Sequence, residues 1–148
     1  MNRDEWVFDT SLSIWFIRVL RVILGVVFLW AGFSKMPQPE IFARTIDAFN
    51  LLPQILILPT AVVIPYIECL AGLGLLLGIK TRLSACIGLG LLCLFVIALG
   101  IAILRGMDNI PCGCFGIGID DTLSTALIRN IVLIAVCVPL VLTRSYRY

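Results

Sequence analysis

Long apolar stretches alternate with short polar segments along this chain of 148 residues. Four stretches are long enough to cross the hydrocarbon layer of a bilayer, which takes about 20 helical residues. They run from Ile14 to Phe33, from Ile55 to Ile79, from Leu83 to Leu104 and from Leu123 to Leu142. We interpret the first as a retained helix, because no small-x-small cleavage site follows it. The pattern therefore predicts four membrane spans within one domain that covers residues 1–148.

A short polar-and-apolar segment, "PEIFARTIDAFN" (residues 39–50), lies between the first two spans. Phe42, Ile46 and Phe49 recur there at helical spacing, with charged side chains on the opposite face, which predicts a short interfacial helix. Only "KTR" separates the second span from the third, so these two helices should form an antiparallel hairpin. The expected fold is all-α: an integral membrane four-helix bundle, up-down-up-down, with the interfacial helix between helices 1 and 2.

Composition supports a membrane protein and excludes several function classes. Hydrophobic residues make up 61% of the chain and charged residues only 14%, far from a soluble composition. The net charge of +2 comes without any basic run, which gives no reason to expect nucleic acid as a partner. There is no histidine, so Ser/His and Cys/His catalytic pairs are excluded.

The distribution of basic residues predicts an orientation in the inner (plasma) membrane. One side of the predicted bundle carries Arg3, Arg18, Arg21, Lys80, Arg82, Arg144 and Arg147, and the other carries Lys35, Arg44, Arg105 and Arg129. Because cytoplasmic segments are richer in Lys and Arg, both termini should be cytoplasmic. The loop 105–122 should then face the periplasm or cell exterior, where thiols are oxidised unless something reduces them.

That outer loop contains Cys112 and Cys114 in the sequence "PCGCFG". A disulfide needs Cα atoms about 4.4 to 6.8 Å apart, so the chain must bend at Gly113, and the bridge should be strained and easily reduced. Neighbouring aspartates argue against a strongly activated thiol. A soft-metal site and an inert turn stay open as alternatives, although two thiolates without histidine are too few for structural zinc. The other four cysteines lie within predicted spans, where they should act as small apolar residues.

Charged residues within the predicted spans form a second candidate site. A carboxylate near the middle of a span, such as Glu68, must be neutral, paired or functional, because its isolated charge costs at least about 2.5 kcal/mol there. Arg21 and Arg129 lie at depths from which their side chains reach Glu68, and Arg18 shares a helix with Arg21. These four residues predict either a structural ion pair or an intramembrane polar site for a proton, a quinone head group or an anion.

Several segments resemble one known family. These are "RVLRVILGVVFLWAGFSKMPQPEIFARTIDAFNLLP", "PYIECLAGLGLLLGIKTRLSA", "PCGCFG" and "LIRNIVLIA". They resemble the methylamine utilisation MauE family of DoxX-like, redox-associated membrane proteins. The resemblance matches Cys112 and Cys114 to the family's cysteine pair, Glu68 to its second-helix glutamate and Arg129 to the arginine of its fourth helix. It implies a thioredoxin-like partner and a role in maturing the disulfide-rich small subunit of methylamine dehydrogenase.

Three functional hypotheses follow. The first is a membrane thiol-disulfide oxidoreductase that uses Cys112 and Cys114, exchanges with a thioredoxin-like partner or client, and passes electrons to a quinone between the helices. The second is a non-catalytic assembly or export factor, whose cysteines only shape the loop. The third is a small-molecule or metal transporter centred on Glu68. The lipid bilayer is an expected partner in all three.

Overall fold

The computed structural model describes residues 3–107 and 122–142, and these residues form five helices and no strand. The helices are α1 (Arg3–Lys35), α2 (Pro39–Ala48), α3 (Gln54–Leu77), α4 (Thr81–Leu104) and α5 (Leu123–Leu142). All except α2 contain a segment that is long and apolar enough to cross a membrane. The prediction of an all-α, four-span membrane protein with a short helix after the first span is confirmed.

Local sequence signals explain where these helices begin and end. Pro39 opens α2, in a position where its missing N–H costs no hydrogen bond. Gly78 ends α3 in the left-handed region, at φ +73°, which glycine adopts without the steric cost of a Cβ. Lys80, the N-cap residue just before α4, has φ +45°, so the connection between the two helices is a tight turn. The antiparallel hairpin predicted for "KTR" is explained by these two backbone conformations.

The four long helices pack in a closed ring, in which α1 contacts α3, α3 contacts α4, α4 contacts α5 and α5 returns to α1. The backbones of α1 and α3 approach each other closely, because a Cβ built on Gly72 would lie 2.8 Å from the carbonyl oxygen of Gly25. Gly74 of α3 faces Ser84 of α4, and small residues of this kind are typical of close helix contacts in membranes. Small side chains therefore allow both neighbours of α3 to approach its backbone.

Apolar side chains fill the bundle and also cover its outside. The central cluster joins all four long helices through Leu24, Phe28, Leu75, Leu92 and Cys137, each at most 4% exposed. Large apolar residues on the outer faces are widely exposed, among them Ile55 at 82% and Leu104 at 88%. Such a surface is stable against hydrocarbon and unstable against water.

The register of the helices shows that α1 stops beside the middle of α3. Gly32, in the last turn of α1, packs against Pro65 and Cys69. From there α2 continues along the N-terminal half of α3, where Phe42 is buried with Ala61 and Ile64. The polypeptide therefore breaks and restarts alongside the interior of α3, at about half of its length.

Candidate functional site

A buried ion pair lies at this break. The ammonium of Lys35, the last residue of α1, donates to both carboxylate oxygens of Glu68 on α3, at 2.8 Å to Oε1 and 2.9 Å to Oε2. Their side chains are only 2% and 4% exposed. Charge-assisted hydrogen bonds of this length are strong, and the carboxylate of Glu68 is thereby neutralised where water is excluded.

Two aromatic rings cover the other side of the Lys35 ammonium. Its Nζ atom lies 5.3 Å from the ring centroid of Phe42 and 5.1 Å from that of Phe95. The rings themselves are 6.4 Å apart and tilted by 49°. Both distances are within the range of cation–π attraction, so three helices contribute to holding one positive charge. Phe42 is on α2 and Phe95 is on α4. Both helices must therefore pack close to the end of α1 for the two rings to reach the Lys35 ammonium.

A cavity of about 20 Å³ adjoins the ion pair inside the bundle. Its polar lining consists of Lys35, Glu68 and Asn130, and its apolar lining includes Phe28 and Leu92. Asn130, on α5, is only 5% exposed. The volume suits one water molecule, and the three polar side chains offer the two to four partners that a buried water requires. The site is therefore a small pocket with an ion pair on one wall, an amide on another and apolar side chains between them.

The arginines proposed from the sequence lie at different distances from Glu68. The guanidinium of Arg21 lies over Gly78, at the far end of α3, about 15 Å along the helix from Glu68. Arg18 is exposed one turn before it. Arg129 of α5 is near enough to Lys35 for the two positive charges to interact. The structure thus pairs Glu68 with Lys35. It brings Arg129 within electrostatic range of Lys35 and places Arg18 and Arg21 away from Glu68.

Lys35 and Asn130 are the residues that sequence reasoning missed. The sequence places Lys35 only among the charges of the outer side, because it follows the apolar run of the first span. The available signal was the "KMPQP" segment, in which two prolines interrupt the chain directly after the lysine. If these prolines interrupt the helix inside the bundle, Lys35 lies at the same depth in the membrane as Glu68. Asn130 gave no comparable signal, because a lone amide in a span is common at helix contacts.

The cysteines divide into two sets. Cys112 and Cys114 lie outside the described residues. The other four are free thiols, with Cys69 and Cys137 buried and Cys86 and Cys93 exposed on the surface of α4. The thiol of Cys137 donates to the carbonyl oxygen of Ala85 at 3.3 Å, a contact within the central core. Among the described residues, no group of three or more cysteine and acidic side chains is arranged to hold a metal ion.

Comparison with known proteins gives the family. The model of "Methylamine utilisation protein MauE" matches residues 13–143, nearly the whole chain. The chain belongs to the MauE family. The methylamine utilization protein MauE of Paracoccus denitrificans is 35% identical over 117 residues, which are 78% of this chain and 63% of that protein. The MauE protein of Methylorubrum extorquens is also 35% identical, over 112 residues that are 75% of this chain and 60% of the relative.

A third relative shows the same pattern of coverage. The MauE protein of Paracoccus versutus is 33% identical over 117 residues, which are 78% of this chain and 63% of that protein. The match thus spans less than two thirds of the length of each of these MauE relatives. No solved structure matches the chain. The family assignment therefore rests on sequence, and the four-span helical architecture described above agrees with it.

Proposed function

We propose that this MauE-family protein acts in the methylamine utilisation system as a membrane thiol-disulfide exchange protein. The observation that carries the proposal is the family match over residues 13–143, which includes the "PCGCFG" segment. Relatives with 35% identity are named for methylamine utilization. The expected client is a disulfide-containing protein of that system, such as the small subunit of methylamine dehydrogenase, or a thioredoxin-like protein that serves it.

In the proposed reaction, a client dithiol reduces the Cys112–Cys114 disulfide. A client thiolate attacks one of the two sulfurs and forms a mixed disulfide, and the second client thiolate then resolves it. The client gains a disulfide, and the two electrons and two protons remain as the Cys112 and Cys114 thiols. To start again, this pair must pass two electrons and two protons to an acceptor, for which a lipid-soluble quinone, becoming quinol, is the proposed class.

The described residues support this proposal by fixing the two ends of the cysteine segment. Leu99 and Ala102 of α4 form one buried cluster with Leu123 and Ala126 of α5. Arg105, just after α4, also donates through Nη1 to the carbonyl oxygen of Phe49 at 2.8 Å. A segment with both ends anchored to packed helices can present a thiol pair to an external partner without unfolding the bundle.

The test compares two cysteine pairs in the full chain. Cys112→Ser with Cys114→Ser removes the proposed redox pair, and Cys86→Ser with Cys93→Ser removes two exposed thiols of α4 as a matched control. In a methylamine-utilising host that lacks its own copy, the loop variant should abolish client disulfide formation, whereas the α4 variant should not. Maleimide labelling of membranes with and without reductant should show that the loop pair is oxidised in the unmodified protein.

The assembly-factor and transporter hypotheses predict different results for these variants. If the loop variant still matures its client, the assembly-factor hypothesis is favoured. The buried Lys35–Glu68 pair is the observation that favours a transporter, and this hypothesis predicts that Glu68→Gln abolishes function while the loop variant retains it. Protein levels in the membrane must be equal for each comparison, because Glu68→Gln also removes half of an ion pair.

A further inference from the structure

A large apolar chamber lies on the other side of the rings that cover Lys35. Its volume is about 590 Å³, within the range of about 300 to 1,000 Å³ that small-molecule sites occupy. It is bounded by α2, α3, α4 and the segment after α2, and its walls include Phe42, Ile46, Ile64, Leu94, Phe95 and Ala98. Leu94 is 54% exposed and Ile97 63% exposed, so one side opens where membrane hydrocarbon would lie.

The chamber lies beside the break between α1 and α2. α1 ends at Lys35, and α2, which starts again from Pro39, contributes one wall of the chamber. Discontinuous helices in membrane proteins are tolerated where the broken segment lines a cavity, and such cavities are common ligand sites. Phe42 and Phe95 belong both to the wall of this chamber and to the cover of the Lys35 ammonium.

The polar groups of the chamber restrict the head group of its ligand. Among the described residues, the chamber walls contain two hydroxyl side chains, Thr45 and Thr60, and no charged side chain. A phosphate or carboxylate would lose its hydration there without a counter-ion, because the Lys35 charge is already neutralised by Glu68. A neutral carbonyl or hydroxyl head instead suits a threonine hydroxyl, which both donates and accepts.

We infer that this chamber is a binding site for a neutral lipid whose head carries a carbonyl or hydroxyl oxygen. The hydrocarbon tail lies between α2 and α4, and the head hydrogen-bonds to Thr60. Isoprenoid quinones and neutral acyl esters share this chemistry. The inference does not depend on the cysteine chemistry proposed above, since no cysteine lines the chamber among the described residues.

The experiment measures binding to the purified full chain in nanodiscs of saturated phosphatidylcholine. The probes are a benzoquinone with a ten-carbon tail, a fatty acid methyl ester of similar length, the corresponding fatty acid anion and the bare alkane. Bound probe is quantified after equilibrium partitioning, with empty nanodiscs as the blank. Ala98→Phe fills the chamber, and Ala135→Phe places the same ring on the exposed face of α5 as a matched control.

Saturable binding of the quinone, the ester or both is expected, and their relative affinities identify the source of the ligand. Ala98→Phe should weaken it at least about tenfold, whereas Ala135→Phe should leave it within about twofold. Thr60→Val should weaken binding about fivefold to tenfold through the lost hydrogen bond, while Thr81→Val, at the start of α4, should not. The variant that lacks Cys112 and Cys114 should bind normally, so a failure of the redox proposal remains distinguishable.

Three results would overturn the inference. No chamber site exists if the amount of bound probe rises linearly with probe concentration in every variant. The same conclusion follows if the Ala98→Phe and Ala135→Phe variants bind equal amounts of probe. Tighter binding of the fatty acid anion than of the neutral probes would refute the neutral head. If the bare alkane binds as tightly as the quinone and the ester, a hydrogen bond from Thr60 to the head group does not contribute to binding.

Discussion

Breaking the Lys35–Glu68 pair from one side should strongly destabilise the protein. Both carboxylate oxygens accept from Lys35, at 2.8 and 2.9 Å, and both side chains are almost fully buried. Removing one member of such a pair leaves an uncompensated buried charge, which costs about 3 to 5 kcal/mol. We therefore expect Lys35→Met to lower the free energy of unfolding by this amount, and Glu68→Leu to lower it similarly.

The double variant separates the cost of an orphaned charge from the value of the pair. Replacing both partners by apolar residues of similar size is often neutral or stabilising, by up to about 4 kcal/mol. Lys35→Met combined with Glu68→Leu should therefore be no less stable than the unmodified protein by more than about 1 kcal/mol. The two single losses would then exceed the double loss several-fold, which is the signature of direct coupling.

Unfolding in mixed micelles of a mild detergent and dodecyl sulfate, followed by far-ultraviolet circular dichroism, measures these differences. Lys80→Met is the matched control, because Lys80 is exposed at the start of α4 and its loss should cost less than about 0.5 kcal/mol. If Lys35→Met costs no more than Lys80→Met, or if the single losses simply add in the double variant, Lys35 and Glu68 are not energetically coupled.

Two further predictions concern helix packing and the anchoring of α2. Gly72→Ala should cost about 1 to 3 kcal/mol, because its Cβ would meet backbone atoms of α1 at 2.8 and 2.9 Å, whereas Gly90→Ala, with nothing within 4 Å, should be neutral or stabilising in the same micelle assay. Arg105→Gln should remove the 2.8 Å bond to the Phe49 carbonyl and speed amide hydrogen exchange over residues 46–52 several-fold; unchanged exchange would show that apolar packing alone holds α2.

The helices themselves could be predicted from sequence because their signals are local. Apolar runs of membrane-spanning length gave four spans, of which the fourth matches α5 at both ends. The amphipathic segment after the first span gave α2, and the short "KTR" link gave the α3–α4 hairpin. Each of these features depends on the residues of one segment and on the thickness of a bilayer.

The candidate site was predicted only in part. The sequence predicts that Glu68 needs a partner or must be neutral or functional, since a lone carboxylate at mid-span is costly, and the structure pairs it with Lys35. Depth along straight helices predicts Arg21 or Arg129 as the partner of Glu68, but only if every span crosses the whole bundle. Because α1 ends beside the middle of α3, Lys35 lies at the depth of Glu68 and takes that place.

Sequence alone thus determined the all-helical, four-span character of this protein, its family and the need to neutralise Glu68. Only the tertiary structure decided that Lys35 is the partner, that Phe42 and Phe95 cover it, and that a chamber opens beyond them. The physical reason is that the length of an apolar run depends on one segment alone. The register between two helices depends on contacts between two segments. Close contact between Gly25 and Gly72 sets the register of α1 against α3, and no single segment encodes that contact.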